Sequence, residues 1–96
     1  FDEVDTGIGG ATAQAVGAKL AELGQKTQVL VVTHSPQVAA QSAHHFKVEK
    51  RTENNVTTTY LRTLDANQKR EEIARMLSGA QISDEARAAA EVLIGA

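Results

Sequence analysis

An α/β fold is predicted for this chain: parallel strands joined by a crossover helix, then a β-hairpin and two C-terminal helices. Three observations predict it. A helical stripe of Val16, Leu20 and Leu23 separates an acidic strand end at Asp2-Glu3 from a second strand-like run, Thr27–Thr33. That run is aliphatic without alternation, as in a strand of a parallel sheet covered on both faces. Beyond it, two β-branched or alternating stretches flank turn residues, and two capped helical stripes close the chain.

In order along the chain, the first helix is predicted from Gly10 to Leu23, with Gly24 as a left-handed C-terminal cap. The strand Thr27–Thr33 ends in Thr33-His34-Ser35-Pro36. Pro36 suits the first turn of a helix reaching about Ala43, and Ser35 its N-cap. From His45 to Arg51 the residues alternate, with Phe46 and Val48 on one face and Lys47 and Glu49 on the other. Glu53-Asn54-Asn55 then supplies a turn before the threonine-rich strand Val56–Leu64. Asp65 and Gln68 form a capping box for a helix whose predicted buried stripe is Ile73, Met76 and Leu77, stopped by Gly79. Ser83 caps the last helix. Asp84 and Glu85 occupy its first turn, where the helix dipole favours acids, and Ala86, Ala89, Ala90 and Leu93 make its inner face.

Composition bounds the function only loosely. Ninety-six residues, 42% hydrophobic and 23% charged, describe one small globular unit rather than a disordered one. The longest aliphatic stretch, Val29–Val32, is far short of the roughly 20 residues a spanning helix needs, so no membrane role is expected. An acidic, glycine-rich start is unlike a signal peptide. A net charge of −2 gives no global attraction to nucleic acid, and the absence of cysteine fits a reducing, cytoplasmic compartment. The chain starts without methionine on residues that read as the end of a strand, so a segment of a longer protein is expected.

Chemistry concentrates at two strand ends. Asp2 and Glu3 close the first, followed by Asp5 and the loop Gly7-Ile8-Gly9-Gly10. Loops at the strand ends of an α/β sheet converge on one crevice, where ligands bind. An acidic pair there can serve a magnesium–nucleotide site: one carboxylate holds the ion, usually through water, and the next orients the attacking water. Alone, the pair reads first as a solvated acidic turn. His34 closes the second strand, placed to donate to a phosphate oxygen or to satisfy a local turn. The two ends together are the stronger signal, because one helix of crossover length separates them.

At these residues the chain resembles a known family. Phe1-Asp2-Glu3-Val4-Asp5 followed by Val29–His34 resembles the Walker B, D-loop and H-loop succession of ABC-type ATPase heads. Thr6–Gly10 and the string Val32–Ala40 narrow the likeness to the RecN family, bacterial SMC-like DNA repair proteins. Val48-Glu49-Lys50, Glu71–Leu77 and Ala86–Leu93 resemble that family's C-terminus. The resemblance covers nearly the whole chain. It implies the C-terminal part of a P-loop NTPase head, spanning residues 1–96 and hydrolysing ATP with Mg²⁺ in double-strand break repair. Asp2 would serve Mg²⁺ through water, Glu3 would polarise the attacking water, and His34 would sense the γ-phosphate. Asp5, Gly7 and Gly9 would lie at the nucleotide and face a partner subunit. Many such heads carry an aspartate where this chain has Gly9, which leaves a glycine loop in place of that carboxylate. The implied partners are the N-terminal half of the same head with its Walker A lysine, a second head across ATP, and DNA through the full-length protein. A bacterial, nucleoid-associated location follows, and the segment alone is expected to be inactive.

Other readings stand beside this one. The hairpin and last helices could form a non-catalytic dimerisation or docking module, or the head could belong to another ABC-type ATPase. Gly7-Ile8-Gly9-Gly10 lacks the lysine and hydroxyl of a phosphate loop, and Leu77-Ser78-Gly79-Ala80 lies on the wrong side of the acidic pair for an ABC signature. His44 and His45 read as surface histidines, Lys47, Lys50 and Arg51 as a solvated hairpin edge, and Lys69–Glu72 as an exposed mixed-charge helix face.

Overall fold

A computed structural model describes residues 1–3, 5–79 and 81–95. Val4, inside the Asp2–Asp5 string, and Ala80, closing Leu77–Ala80, lie outside the described residues, as does Ala96. The elements are α1 (Gly10–Gly24), α2 (Pro36–Ala39), β1 (His45–Glu53), β2 (Val56–Leu64), α3 (Ala66–Ser78) and α4 (Asp84–Gly95).

Helix α3 holds the core together. Its capping box forms as predicted: Gln68 N–H donates to Asp65 Oδ1 at 2.8 Å, and Asp65 N–H to Gln68 Oε1 at 3.0 Å. Ile73 is the largest side chain with no exposure, and Ala74 beside it is equally buried. Ala39 and Ala40 of the α2 segment and Ala86 and Ala90 of α4 close around them, with Met76, Ile82, Leu93 and Ile94 packed against the cluster. A core of alanines lets helix backbones approach closely, so its packing is sensitive to single methyl groups. Ile73 and Met76 of the predicted stripe face the core, but Ala74 takes the place expected of Leu77, which is exposed, as is Ala89 of α4.

The polar face of α3 is not the solvated surface expected. Lys69 Nζ donates to the Ser42 carbonyl at 2.6 Å, Arg70 pairs with Glu91 at 3.2 Å, and Glu71 with Arg87 at 2.9 Å. Glu72 meets Lys47 of β1 at 3.1 Å. Burial works against the charge of Glu72, yet hydrogen bonds from Arg75 and Lys47 keep its carboxyl below the ordinary range. Four consecutive residues therefore tie α3 to the α2 segment, to α4 and to the hairpin.

The hairpin forms in a single register, from His45↔Leu64 to Glu53↔Val56. Asn54 and Asn55 turn it, at φ of 51° and 62°, the left-handed pair that a two-residue hairpin loop requires. Its facing is the reverse of simple amphipathicity. Lys47 and Glu49 are half-buried towards the body, whereas Phe46, Val48 and Leu61 are exposed, Leu61 at 71%. His45 corrects the surface reading: it is half-buried, and its Nδ1 has no partner among the described residues.

The predicted strand Thr27–Thr33 is not a sheet strand here. It makes one isolated parallel bridge, Asp2↔Val32. Val29, Val31 and Thr33 are half-buried while Leu30 is 72% exposed and Val32 is open, so the run is extended with one face covered. A run covered on both faces needs a layer on each side, and the described residues supply one. The two-stranded hairpin is the only sheet among them, and the parallel sheet predicted for the first half is not formed.

Helix α1 meets α2 through its smallest residues. Ala13 and Gly17 are buried, not the Val16–Leu20–Leu23 stripe. A Cβ on Gly17 would stand 3.0 Å from Gln41 Cγ, 3.1 Å from Val38 Cα and 3.2 Å from the Gln37 carbonyl oxygen. Gly24 is the last helical residue rather than a left-handed cap, that place falling to Gln25 in a right-handed turn. Ser35 caps α2 as expected, its Oγ accepting from Val38 N–H at 3.3 Å, but the helix is only four residues long.

Gly17→Ala gains up to about 1 kcal/mol of helix propensity. It meets backbone atoms that cannot swing aside, an overpacking cost of about 1–3 kcal/mol. A lower urea midpoint is expected for Gly17→Ala, whereas Gly24→Ala, which meets nothing within 4 Å, should leave the midpoint unchanged or raise it.

Burial first, then the nearby Lys69 charge, push the pKa of His45 below its ordinary value of 6.5, with Glu72 opposing. The unfolded chain therefore binds the proton more readily, and the stability contributed is full above pH 6.5 and lost as pH falls through the lower folded value. Denaturation midpoints should drop as pH is lowered from neutrality, and His45→Gln should flatten that slope. Loss arising from Glu72 falls in a separate window, below its ordinary value of 4.5.

Candidate functional site

The site is built where two chain segments run side by side, Asp2 bridging in parallel to Val32. The nitrogen of Phe1 donates to the Leu30 carbonyl at 2.8 Å, Val32 N–H to the Phe1 carbonyl at 2.8 Å, and Glu3 N–H to the Val32 carbonyl at 2.7 Å. This parallel pairing sets Glu3 level with the residues after Val32. His34 Nε2 stands 3.2 Å from Glu3 Oε1. The two predicted catalytic residues are thus in contact. Both are largely exposed, so the pair contributes little to stability, under about 1 kcal/mol.

Glu3 adopts φ of 50°, the left-handed region that non-glycine residues seldom occupy. Its carbonyl accepts from Thr6 N–H at 3.1 Å, so the chain turns sharply straight after the acidic pair. Such a conformation costs about 1–2 kcal/mol and persists only where neighbouring contacts hold it.

Asp5 is the buried charged residue of the described set, 8% exposed. Thr33 Oγ1 donates to its Oδ2 at 2.6 Å, and the same hydroxyl accepts Ser35 N–H at 2.9 Å. The resemblance placed Asp5 at a nucleotide and facing a partner subunit; in this chain its carboxylate ties two segments together. The exposed part of that loop is Thr6–Gly9. Gly7 takes φ of 83° and needs glycine for it, whereas Gly9 is the N-cap of α1 in an extended conformation and does not. Nothing stands within 4 Å of a Cβ built on either.

Glu3, Asp5, Thr6, His34 and Ser35 line one shallow depression. Asp2, the residue assigned to Mg²⁺, is exposed beside it in the parallel bridge. Among the described residues, no three histidine, cysteine or acidic side chains cluster closely enough to hold a metal. This donor set fits only an ion that takes most of its ligands from water or phosphate, as Mg²⁺ does. Sequence reasoning missed Thr33 and Ser35. The available signal was a pair of hydroxyl residues flanking His34.

Among the described residues, no helix is long and apolar enough to cross a membrane. No protein-family model matches the chain. It is similar over nearly its whole length to curated proteins described as "DNA repair protein RecN". That of Xylella fastidiosa (strain 9a5c) is 54% identical over 94 residues, 98% of this chain and 17% of the relative. That of Deinococcus radiodurans is 50% identical over 95 residues, 99% of this chain and 17% of the relative. The Vibrio cholerae protein is 50% identical over 97 residues, 100% of this chain and 18% of the relative. The chain thus spans about 17% of the length of the first two of these relatives.

The left-handed turn at Gly7 gives a direct test of the loop. Gly7→Ala should cost about 1 kcal/mol in denaturant unfolding, and Gly7→Asn clearly less, since asparagine tolerates that backbone region.

Proposed function

The chain is a RecN-family sequence matching the C-terminal part of its relatives, and on that premise we propose that it forms half of an ATP-hydrolysing site in an SMC-like protein that repairs DNA double-strand breaks. The observation that carries this reading is the 3.2 Å contact between Glu3 and His34, brought together by the parallel pairing of their segments.

In this reading the Glu3 carboxylate orients a water for in-line attack on the γ-phosphate of ATP and takes its proton. The His34 N–H donates to a γ-phosphate oxygen, and Asp2 holds Mg²⁺ through water. The ion neutralises charge on the phosphates when bound. Gly7 and Gly9, with no side chains, let backbone approach the nucleotide or a second head. The products are ADP and phosphate. The phosphate-binding lysine comes from a part of the longer protein that precedes this one, a second head closes over the nucleotide, and DNA is engaged through the full-length protein in the bacterial cytoplasm, at the nucleoid.

A second reading has its own observation. Phe46, Val48 and Leu61 form an exposed apolar face on the hairpin, as a non-catalytic docking module would.

Mutation separates the two. In the full-length protein, Glu3→Gln and His34→Ala should each lower ATP turnover by about 100-fold or more while ATP binding persists. This chain by itself should turn ATP over negligibly. Unchanged hydrolysis in both full-length variants would leave the docking module as the better account.

A further inference from the structure

The contact between Glu3 and His34 depends on a residue to which neither the resemblance nor the relatives assign a role. Backbone pairing fixes Glu3 against Val32, but it ends there, two residues short of His34. From that point the chain is held by side chains. Thr33 Oγ1 accepts Ser35 N–H at 2.9 Å, which closes a tight turn around His34. With that acceptor role filled, the single hydroxyl proton of Thr33 is directed to Asp5 Oδ2, at 2.6 Å. Ser35 in turn caps α2 through Val38 N–H. His34 therefore sits between two anchored residues, although its own side chain is exposed.

The other end of the tie matters equally. Asp5 follows Glu3 by two positions, and Glu3 is held at φ of 50°. A buried carboxylate without a donor is costly, by about 1–3 kcal/mol or more for a charged group. Without Thr33, the favourable course for Asp5 is to swing out to water, which releases the turn that carries Glu3. One hydroxyl thus restrains both reacting side chains.

We propose that Thr33 is a positioning residue for ATP hydrolysis, setting His34 against Glu3 through its hydrogen bond to Asp5. This rests on the reading of Glu3 and His34 as a hydrolytic pair. Thr33 touches neither nucleotide nor water in this account. Its loss should lower the rate of the chemical step rather than the affinity for ATP, because small misplacements of reacting groups reduce turnover steeply.

The test uses the full-length protein and steady-state ATPase kinetics. Thr33→Val keeps the shape and removes the hydroxyl; kcat should fall by about tenfold with KM for ATP within about twofold. Thr33→Ser, which keeps the hydroxyl, should restore kcat to within about twofold. Unchanged kcat in Thr33→Val, equal impairment of the Val and Ser variants, or a loss confined to KM would each overturn the proposal. If Thr33→Val does not fold, Thr33→Val/Asp5→Leu removes both partners and leaves no unpaired charge. Wild-type kcat in that double variant overturns the tie, and reduced kcat at unchanged KM supports it. Glu3→Gln, measured alongside, separates the two levels. Sensitivity to Glu3→Gln with indifference to Thr33→Val sinks only the role of Thr33, whereas indifference to Glu3→Gln sinks the hydrolytic site itself.

Discussion

Burial of Ile73 and Ala74 is the constraint on which the remaining architecture rests. With few large side chains available, the chain builds its interior by bringing alanines of three helical segments against one isoleucine. Close approach of this kind leaves little apolar area to spare, so orientation falls to the charged residues on the same helix. Lys69, Arg70, Glu71 and Glu72 each reach a different neighbour or backbone carbonyl. None of these contacts is strong singly, because all are partly solvated. Their value is directional: they fix where the α2 segment, α4 and the hairpin lie relative to α3.

The candidate site inherits its geometry from that arrangement. Helix α2 begins at Pro36, one capping residue beyond His34, and its end is buried among Ala39, Ala40 and the α3 cluster. Helix α1 begins immediately after the glycine loop and meets α2 at Gly17, where no side chain intervenes. The two loops that line the depression are thus the leading ends of two helices packed against one another. The parallel bridge at Val32 and the Thr33–Asp5 hydrogen bond then close the gap between them.

The hairpin shows the same priority of pairing over patterning. Lys47 turns towards the body because Glu72 is there to meet it, and Glu49 is held by Arg62 across the strand pair. Alternation then obliges Phe46 and Val48 to face outwards, opposite Thr63 and Leu61. An apolar surface on a two-stranded ribbon follows from period-two geometry once the inner face is committed to ion pairs.

The sequence by itself determined the elements whose causes are local. Asp65 and Gln68, three residues apart, make a capping box whatever surrounds them, Ser35 and Ser83 cap the following turns, and the Asn54-Asn55 pair accepts the left-handed angles of a hairpin turn. It also singled out Glu3 and His34, through the resemblance of the strings Phe1–Asp5 and Val29–His34 to a known family. What only the tertiary structure decided is how those elements meet. The stripe of α1 was misjudged because the helix packs on a short partner through Gly17, where absence of a side chain outweighs hydrophobicity. The run Thr27–Thr33 was expected in a covered sheet, yet extended backbone becomes a sheet strand only where a neighbour pairs along its length, and here the pairing is one isolated bridge at Val32. The tie between Thr33 and Asp5 joins positions 28 apart in the chain, and such a bond has no signature in local spacing. Hydrogen bonds between distant residues exist only after packing has brought their backbones into register.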